Sequence, residues 1–343
     1  MARAAYLLPS LLLLASPAGA TALDDALGPR CTVDARLAPV AEAARADPET
    51  FDPLELRELA HAQHVAAPTV QTLVLRGDAD ALPVVAGRWL AERNASPALS
   101  RCAVAVGEGT LALVMVPRLV EPRALPANGN VHAWQVALPA GVTEAALVAT
   151  APDGAVTRHA LSGDGTASLA LDHDGAWTLQ VLATFPSGPM PVALWEERIG
   201  EGASEAPAVD GSITNDRHLM RAINGLRRER GLPALRRDPL LDLVALAHAR
   251  RLAASGTVAH TPAPGDTPVD RLRAAGVTAE RVAENLARAR SLAVAHARIA
   301  RSPAHRANLL DAAVDAVGVG VAHAGGMAYV VELLATRPTL VGR

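Results

Sequence analysis

The spacing of apolar residues changes twice along this chain. Over residues 23–116 it is mainly helical, with Pro53, Leu54, Leu56, Leu59 and Ala60 opening one amphipathic run. That region ends in a hairpin, residues 102–106 and 111–116, turned by Gly107-Glu108-Gly109. Short β-like runs then take over at 133–138, 145–150, 167–171 and 177–183. Pro-Ala-Gly, Pro-Asp-Gly and Asp-His-Asp-Gly turns separate them, at the spacing of a small antiparallel β-sandwich. Asp172-His173-Asp174-Gly175 lacks the further ligands of a calcium loop and reads as one of these turns. The stretch 200–213, dense in Gly, Ala, Pro, Ser and acids, predicts a linker.

The last third returns to a helical period. Thr214 caps a helix with Leu219, Ile223 and Leu226 on one face, closed by Gly231 and followed by Pro233. Asp238-Pro239 starts the next, with Leu240, Leu243, Ala247 and Leu252 on its buried side and Gly256 as its stop. Thr267-Pro268-Val269-Asp270 is a capping box for a third helix ending near Gly276. Further helices open at Ser291 and Ser302, and residues 318–322 with 328–334 make a closing hairpin. The expected domains are therefore 21–118, mixed α+β; 128–199, a β-sandwich; and 214–336, helices with a terminal hairpin.

Composition sets the compartment. Arg3, the apolar run 5–15 and Ala18-Gly19-Ala20 form a secretory signal over 1–20, so export, secreted or periplasmic, is expected. No later stretch reaches the roughly 20 apolar residues of a spanning helix. The only cysteines, Cys31 and Cys102, predict one disulfide in an oxidising compartment. Cys31 follows Pro-Arg, not the small apolar residues of a lipoprotein signal. Half the residues are apolar but only 2% are aromatic, so Ala, Val and Leu must fill the cores. Lysine is absent, and residues 214–336 hold 17 Arg against 11 acids although the whole chain is at −3. That excess makes an anionic wall polymer or lipid head group a candidate partner, with scattered solvated arginines as the alternative. No nucleic-acid partner is expected.

The candidate chemistry lies in three strings: Ala259-His260-Thr261, Ala283-Glu284-Asn285-Leu286 and Ser302-Pro303-Ala304-His305-Arg306. His260, Glu284 and His305 each fall at an expected break between elements, where a side chain can face a cleft. If Ser302 caps its helix, His305 is the third helical residue, and the positive end of the dipole disfavours imidazolium there. A neutral imidazole suits metal ligation or proton acceptance. Two histidines and a glutamate form a catalytic zinc set with one position open for water, yet His-Glu-x-x-His is absent. The alternative leaves His260 and His305 as hydrogen-bonding supports of their loops. Ser302, His305 and Glu284 also have the chemical types of nucleophile, base and orienter, without a Gly-x-Ser-x-Gly elbow. His248 reads as a buried helix residue.

These strings, with Ile223-Asn224-Gly225-Leu226-Arg227, Gly231-Leu232-Pro233-Ala234-Leu235, Ala247-His248-Ala249, Arg271-Leu272, Asn308 and Gly318-Val319-Gly320-Val321, stand in the order found in bacterial members of the CAP superfamily, also called SCP. Residues 214–336 resemble that family of cysteine-rich secretory, antigen-5 and pathogenesis-related-1 proteins. The resemblance implies an α-β-α sandwich whose cleft holds a divalent ion such as zinc, calcium or magnesium on His260, Glu284 and His305. Asn285, Ser302 and Arg306 are then expected to line the cleft. Animal and fungal relatives carry a second glutamate before the last histidine; residues 295–301 offer none, which leaves three ligands. Ile299 stands where bacterial relatives usually carry tryptophan.

Asp52-Pro53-Leu54 through His61-Ala62 parallels Asp238-Pro239-Leu240 through His248-Ala249, and Ser96-Pro97 before its hairpin parallels Ser302-Pro303. A shortened, degenerate copy of the C-terminal unit is one reading, and two ordinary alanine-rich helices with similar caps is the other. The functional expectation is an exported binding module for lipid, wall polymer or protein, with a metal-assisted or serine hydrolase as the alternative.

Overall fold

The computed structural model describes residues 27–47, 53–78, 81–93, 100–186, 188–201, 209–336 and 338–340. The signal at 1–20, the Ser96-Pro97 motif and half of the linker lie outside the described residues. The chain divides into two compact units, one ending at Arg118 and the other containing His64–Pro68 and everything from Leu119 onward.

In the first unit, β1 (Thr32–Val33), α1 (Ala38–Ala46), α2 (Pro53–Ala62), β2 (Gln71–Arg76), α3 (Leu82–Glu92), β3 (Ser100–Gly107) and β4 (Thr110–Pro117) follow one another. The sheet order is β1-β3-β4-β2, with β1 parallel to β3 and the other neighbours antiparallel. The expected hairpin is β3–β4, turned at Glu108 and Gly109, which both take positive φ. Strand β2 lies inside a stretch whose pattern predicts helix. Its partner β4 is almost wholly buried, so β2 forms by pairing more than by its own pattern. Cys31 and Cys102 form the disulfide, with Cα atoms 6.0 Å apart.

The second unit opens with a sandwich. It is built from β5 (Arg123–Asn128), β6 (Val131–Gln135), β7 (Glu144–Thr150), β8 (Val156–Ala160), β9 (Thr166–Ala170), β10 (Gly175–Phe185) and β11 (Gly188–Ile199). Sheets β5-β6-β9 and β11-β10-β7-β8 share one core holding Trp134, Leu169, Leu147, Leu179, Val181 and Trp195. The rings of Trp134 and Trp195 meet edge to face, and both indoles donate to Glu197 Oε1. The other face of the four-stranded sheet is buried as well: Val148, Gln180 and Leu194 are covered. Burial on both faces explains why β10 reads as a nearly continuous apolar run instead of an alternating one.

The C-terminal module follows in the same unit. Its elements are α4 (Asp216–Glu229), β12 (Arg236–Arg237), α5 (Pro239–Ser255), α6 (Pro268–Ala274), β13 (Val277–Thr278), β14 (Val282–Ala289), α7 (Leu292–Arg301), α8 (Pro303–Leu309), β15 (Ala316–Ala324), β16 (Met327–Ala335) and β17 (Thr339–Leu340). The main sheet runs β12-β15-β16-β14. Val330 and Leu334 join one core with Leu219 and Ile223 of α4 and Ile299 of α7. Val331 and Leu333 join another with Leu241, Val244 and Ala245 of α5 and Leu272 of α6. Alternate residues of one strand point to opposite faces, so helices cover both sides of this sheet.

Three local expectations need correction. The cap of α4 is Asn215, whose side chain accepts from His218 N–H, and not Thr214. Glu284 sits within strand β14, not in a break between helices. Ser302 occupies the N-cap of α8 but makes no side-chain capping bond there. The Asp238 cap, the Thr267–Asp270 capping box, the Ser291 cap and the left-handed Gly256 stop are all present.

The two main α/β sheets share a topology. In each, a two-residue strand lies parallel to the first arm of a hairpin, and an earlier strand borders the second arm. Asp52 of the expected parallel lies outside the described residues, and in this topology Asp34 stands at the strand end that corresponds to Asp238. Asp34 N–H donates to Cys102 O, Asp238 N–H donates to Val317 O, and both carboxylates accept backbone N–H groups at the following helical turn.

Candidate ligand-binding cleft

A cleft of about 700 Å³ lies inside the second unit, between the outer face of the four-stranded sandwich sheet and the C-terminal module. His260, Glu284, Ser302, His305 and Asn308 line one wall. Val148, Gln180, Leu182 and Thr184, with Gly188, Pro189 and Pro191 at the start of β11, line the other.

His260 is delivered by the loop after α5. His248, fully buried on that helix, donates from Nε2 to Ala259 O at 3.1 Å and so fixes the residue beside His260. Burial holds the His248 imidazole below its ordinary pKa, and the nearby Arg271 and Arg251 act in the same direction against the pull of Glu284. Arg271 of α6 donates to His260 O at 3.0 Å and to Asp266 O at 2.5 Å.

Glu284 is buried on β14 with both oxygens engaged. Its Oε1 lies 2.9 Å from His260 Nδ1, and its Oε2 accepts from Arg271 Nη2 at 2.5 Å. The His260–Glu284 pair fixes the ring so that Nε2 is left for other partners. The carboxylate itself is neutralised by a guanidinium, which is a poor state for a metal ligand. Among the described residues no group of three or more His, Cys, Asp or Glu side chains is placed to hold an ion. A divalent ion shared by His260, Glu284 and His305 would have to share the Glu284 carboxylate with Arg271 and His260 or displace them.

Two residues expected in the cleft lie elsewhere. Asn285 is fully buried beneath it, because neighbours on a strand face opposite ways. Its Nδ2 donates to His305 O at 3.2 Å and to Glu332 Oε2 at 3.1 Å, and its Oδ1 accepts from Asn308 at 2.9 Å, so it binds α8 to the sheet. Arg306 turns to the sandwich, donating to Gly154 O at 3.1 Å and Ala300 O at 3.3 Å. Ser302 does line the cleft, but it is buried, and its Oγ accepts from Gln180 Nε2 at 3.3 Å.

Arg271 and Gln180 went unforeseen. Arg271 is one arginine among many in an arginine-rich segment and carries no distinguishing signal. Gln180 does carry one: it is the sole strongly polar residue in the run Trp177-Thr178-Leu179-Gln180-Val181-Leu182, where only a specific partner justifies burying an amide.

The C-terminal module is an α/β unit with helices on both faces of one sheet. Residues 220–333 match the model of the cysteine-rich secretory protein family, so the C-terminal third carries a CAP domain. An outer surface protein from Borrelia burgdorferi is similar at 25% identity and a TM-score of 0.33, covering 35% of this chain and 91% of that one. An extracellular SCP-domain protein from Bacillus anthracis aligns at 17% identity and a TM-score of 0.33, over 64% of this chain and 86% of its own. A cysteine-rich secretory protein of Staphylococcus aureus aligns at 14% and 0.31, over 64% and 84%. No curated protein matches.

Proposed function

We propose that this is an exported CAP-domain protein acting as a non-catalytic binding module outside the cell or at its envelope, and that the cleft takes an uncharged stretch of peptide. The observation that carries the reading is the commitment of the cleft's reactive groups. Glu284 is held by Arg271, and the Ser302 hydroxyl is buried against Gln180, so the nucleophile and carboxylate of a hydrolase are occupied with structural partners.

Charge in the cleft is compensated in place. Glu284 faces Arg271, Asp311 faces Arg281 at 2.5 Å, and Arg158 faces Glu144 at 3.4 Å. That balance disfavours a strongly anionic polymer or lipid head group. Among the described residues, no Trp, Tyr or Phe lines the cleft to stack a sugar or a base. Gln180, Ser302, Asn308 and several threonines interrupt any continuous apolar wall for an acyl chain. What remains is hydrogen-bonding capacity spread among aliphatic and proline surfaces, which suits a backbone with small side chains. Among the described residues no helix is long and apolar enough to cross a membrane. The N-terminal signal pattern supports action after export.

The test is NMR of the full chain titrated with three probes: a pool of end-capped hexapeptides of Ala, Val, Thr, Pro and Gln, chitin oligomers, and phosphatidylglycerol vesicles. Saturable shifts at His305 and Asn308 with the peptides alone are expected. Response only to sugar or vesicles, or to none, overturns the reading. The 2.9 Å His260–Glu284 pair is the one observation that favours hydrolysis. Peptide cleavage lost in a His260→Ala, His305→Ala variant would establish it.

The first unit reads as a pared-down copy of the CAP module without its site. Registering β3–β4 on β15–β16 puts Thr72 in the place of Glu284, Leu73 in that of Asn285 and Leu113 in that of Glu332. Superposition of experimentally determined coordinates checks this; diverging chain paths would reject it.

A further inference from the structure

Helix α8 carries His305 and Asn308 into the cleft, yet it has no cap of its own, because Ser302 makes no side-chain bond to its free N–H groups. The missing bond comes from another module. Gln180 Oε1, on β10 of the sandwich, accepts from Ala304 N–H at 2.8 Å, while its Nε2 donates to Ser302 Oγ at 3.3 Å. Gln180 is only 2% exposed, and Val148 and Leu182 flank the cleft beside it.

Other contacts hold the same two surfaces together. Arg306 donates to Gly154 O, and Arg230 pairs with Asp153 at 3.3 Å. Gly188, at φ +105°, approaches so closely that an added Cβ would stand 3.1 Å from His260 Cβ. Both histidines of the cleft are therefore bordered by the sandwich, one through Gly188 and the other through the helix that Gln180 caps.

We propose that the cleft is a two-module site, in which the sandwich sheet supplies the second wall and Gln180 is the positioning residue that sets the start of α8, and so His305 and Asn308. This rests on reading the cleft as the ligand site, but its first test needs no ligand. Gln180→Leu keeps the size and removes both bonds. Gln180→Glu keeps an oxygen for Ala304 N–H and can accept from the Ser302 hydroxyl.

In the full chain, Gln180→Leu is expected to speed amide exchange at Ala304 by roughly tenfold, as loss of a helix cap does. It should also move the His305 ring and Asn308 amide resonances, leaving His218 in place. Gln180→Glu should restore slow exchange. Wild-type His305 resonances in Gln180→Leu, or fast exchange at Ala304 in Gln180→Glu, would overturn the assignment. Should Gln180→Leu fail to fold, Gln180→Glu decides by its exchange at Ala304 alone. In a second arm, the response to the hexapeptide pool should vanish in Gln180→Leu and return in Gln180→Glu. If the wild type ignores the peptides, the peptide reading fails while the exchange results still judge the role of Gln180.

Discussion

Glu284 gives one oxygen to His260 and the other to Arg271, with the Arg271 side chain 7% exposed and that of Glu284 2% exposed. Removing one partner of such a pair strands the other charge in a dry site. Glu284→Ala should cost about 3–5 kcal/mol in urea unfolding, and the double variant Glu284→Leu, Arg271→Met clearly less. His248 makes a separate prediction about acid. Its folded pKa is depressed by burial, so below about pH 6.5 the unfolded chain binds the proton that the folded chain refuses. Its contribution is complete above that pH and is lost as the pH falls towards the folded value. Unfolding free energy measured from pH 8 to 5 should decline, and the decline should flatten in His248→Gln. At this scale the two histidines and the glutamate were legible as cleft residues from the order of the CAP motifs and from expected breaks between elements, although Glu284 lies within a strand. The direction of Asn285 was not, because whether Glu284 or its neighbour faces the cleft depends on strand register.

Among the elements, caps written in local sequence formed as read at Asp238, Thr267 and Ser291, since a cap needs only the next three N–H groups. Ser302 has the same local signature and fails because Gln180, more than a hundred residues away in sequence, takes the Ala304 N–H. Gly318 and Gly320 show the converse: small residues in a strand set by an element elsewhere. A Cβ at Gly318 would fall 2.1 Å from Leu241 C and 2.4 Å from Asp242 N, so α5 rests on the bare backbone of β15. Those are backbone atoms that cannot swing away. Gly318→Ala should therefore destabilise by at least about 1–3 kcal/mol, seen as a lower denaturant midpoint. Gly211→Ala, with open space around it, should stay within about 0.5 kcal/mol.

For the whole molecule, the disulfide joins Cys31 to Cys102, 71 residues apart, and both cysteines belong to the first unit. Replacing both with serine should lower the stability of that unit by about 2–4 kcal/mol. Hydrogen exchange should rise across β3 and β4 and stay unchanged across β15 and β16. The sequence by itself determined the CAP motifs, the helix starts at Asp238, Thr267 and Ser291, the β-rich middle and the pairing of two cysteines, because each rests on short-range spacing or on having only one partner available. Tertiary structure alone decided that the sandwich walls the cleft, that Gln180 caps α8 and that Arg271 occupies Glu284. Those outcomes depend on which distant surfaces meet and in what register, and residue spacing holds no record of either until a core closes around them.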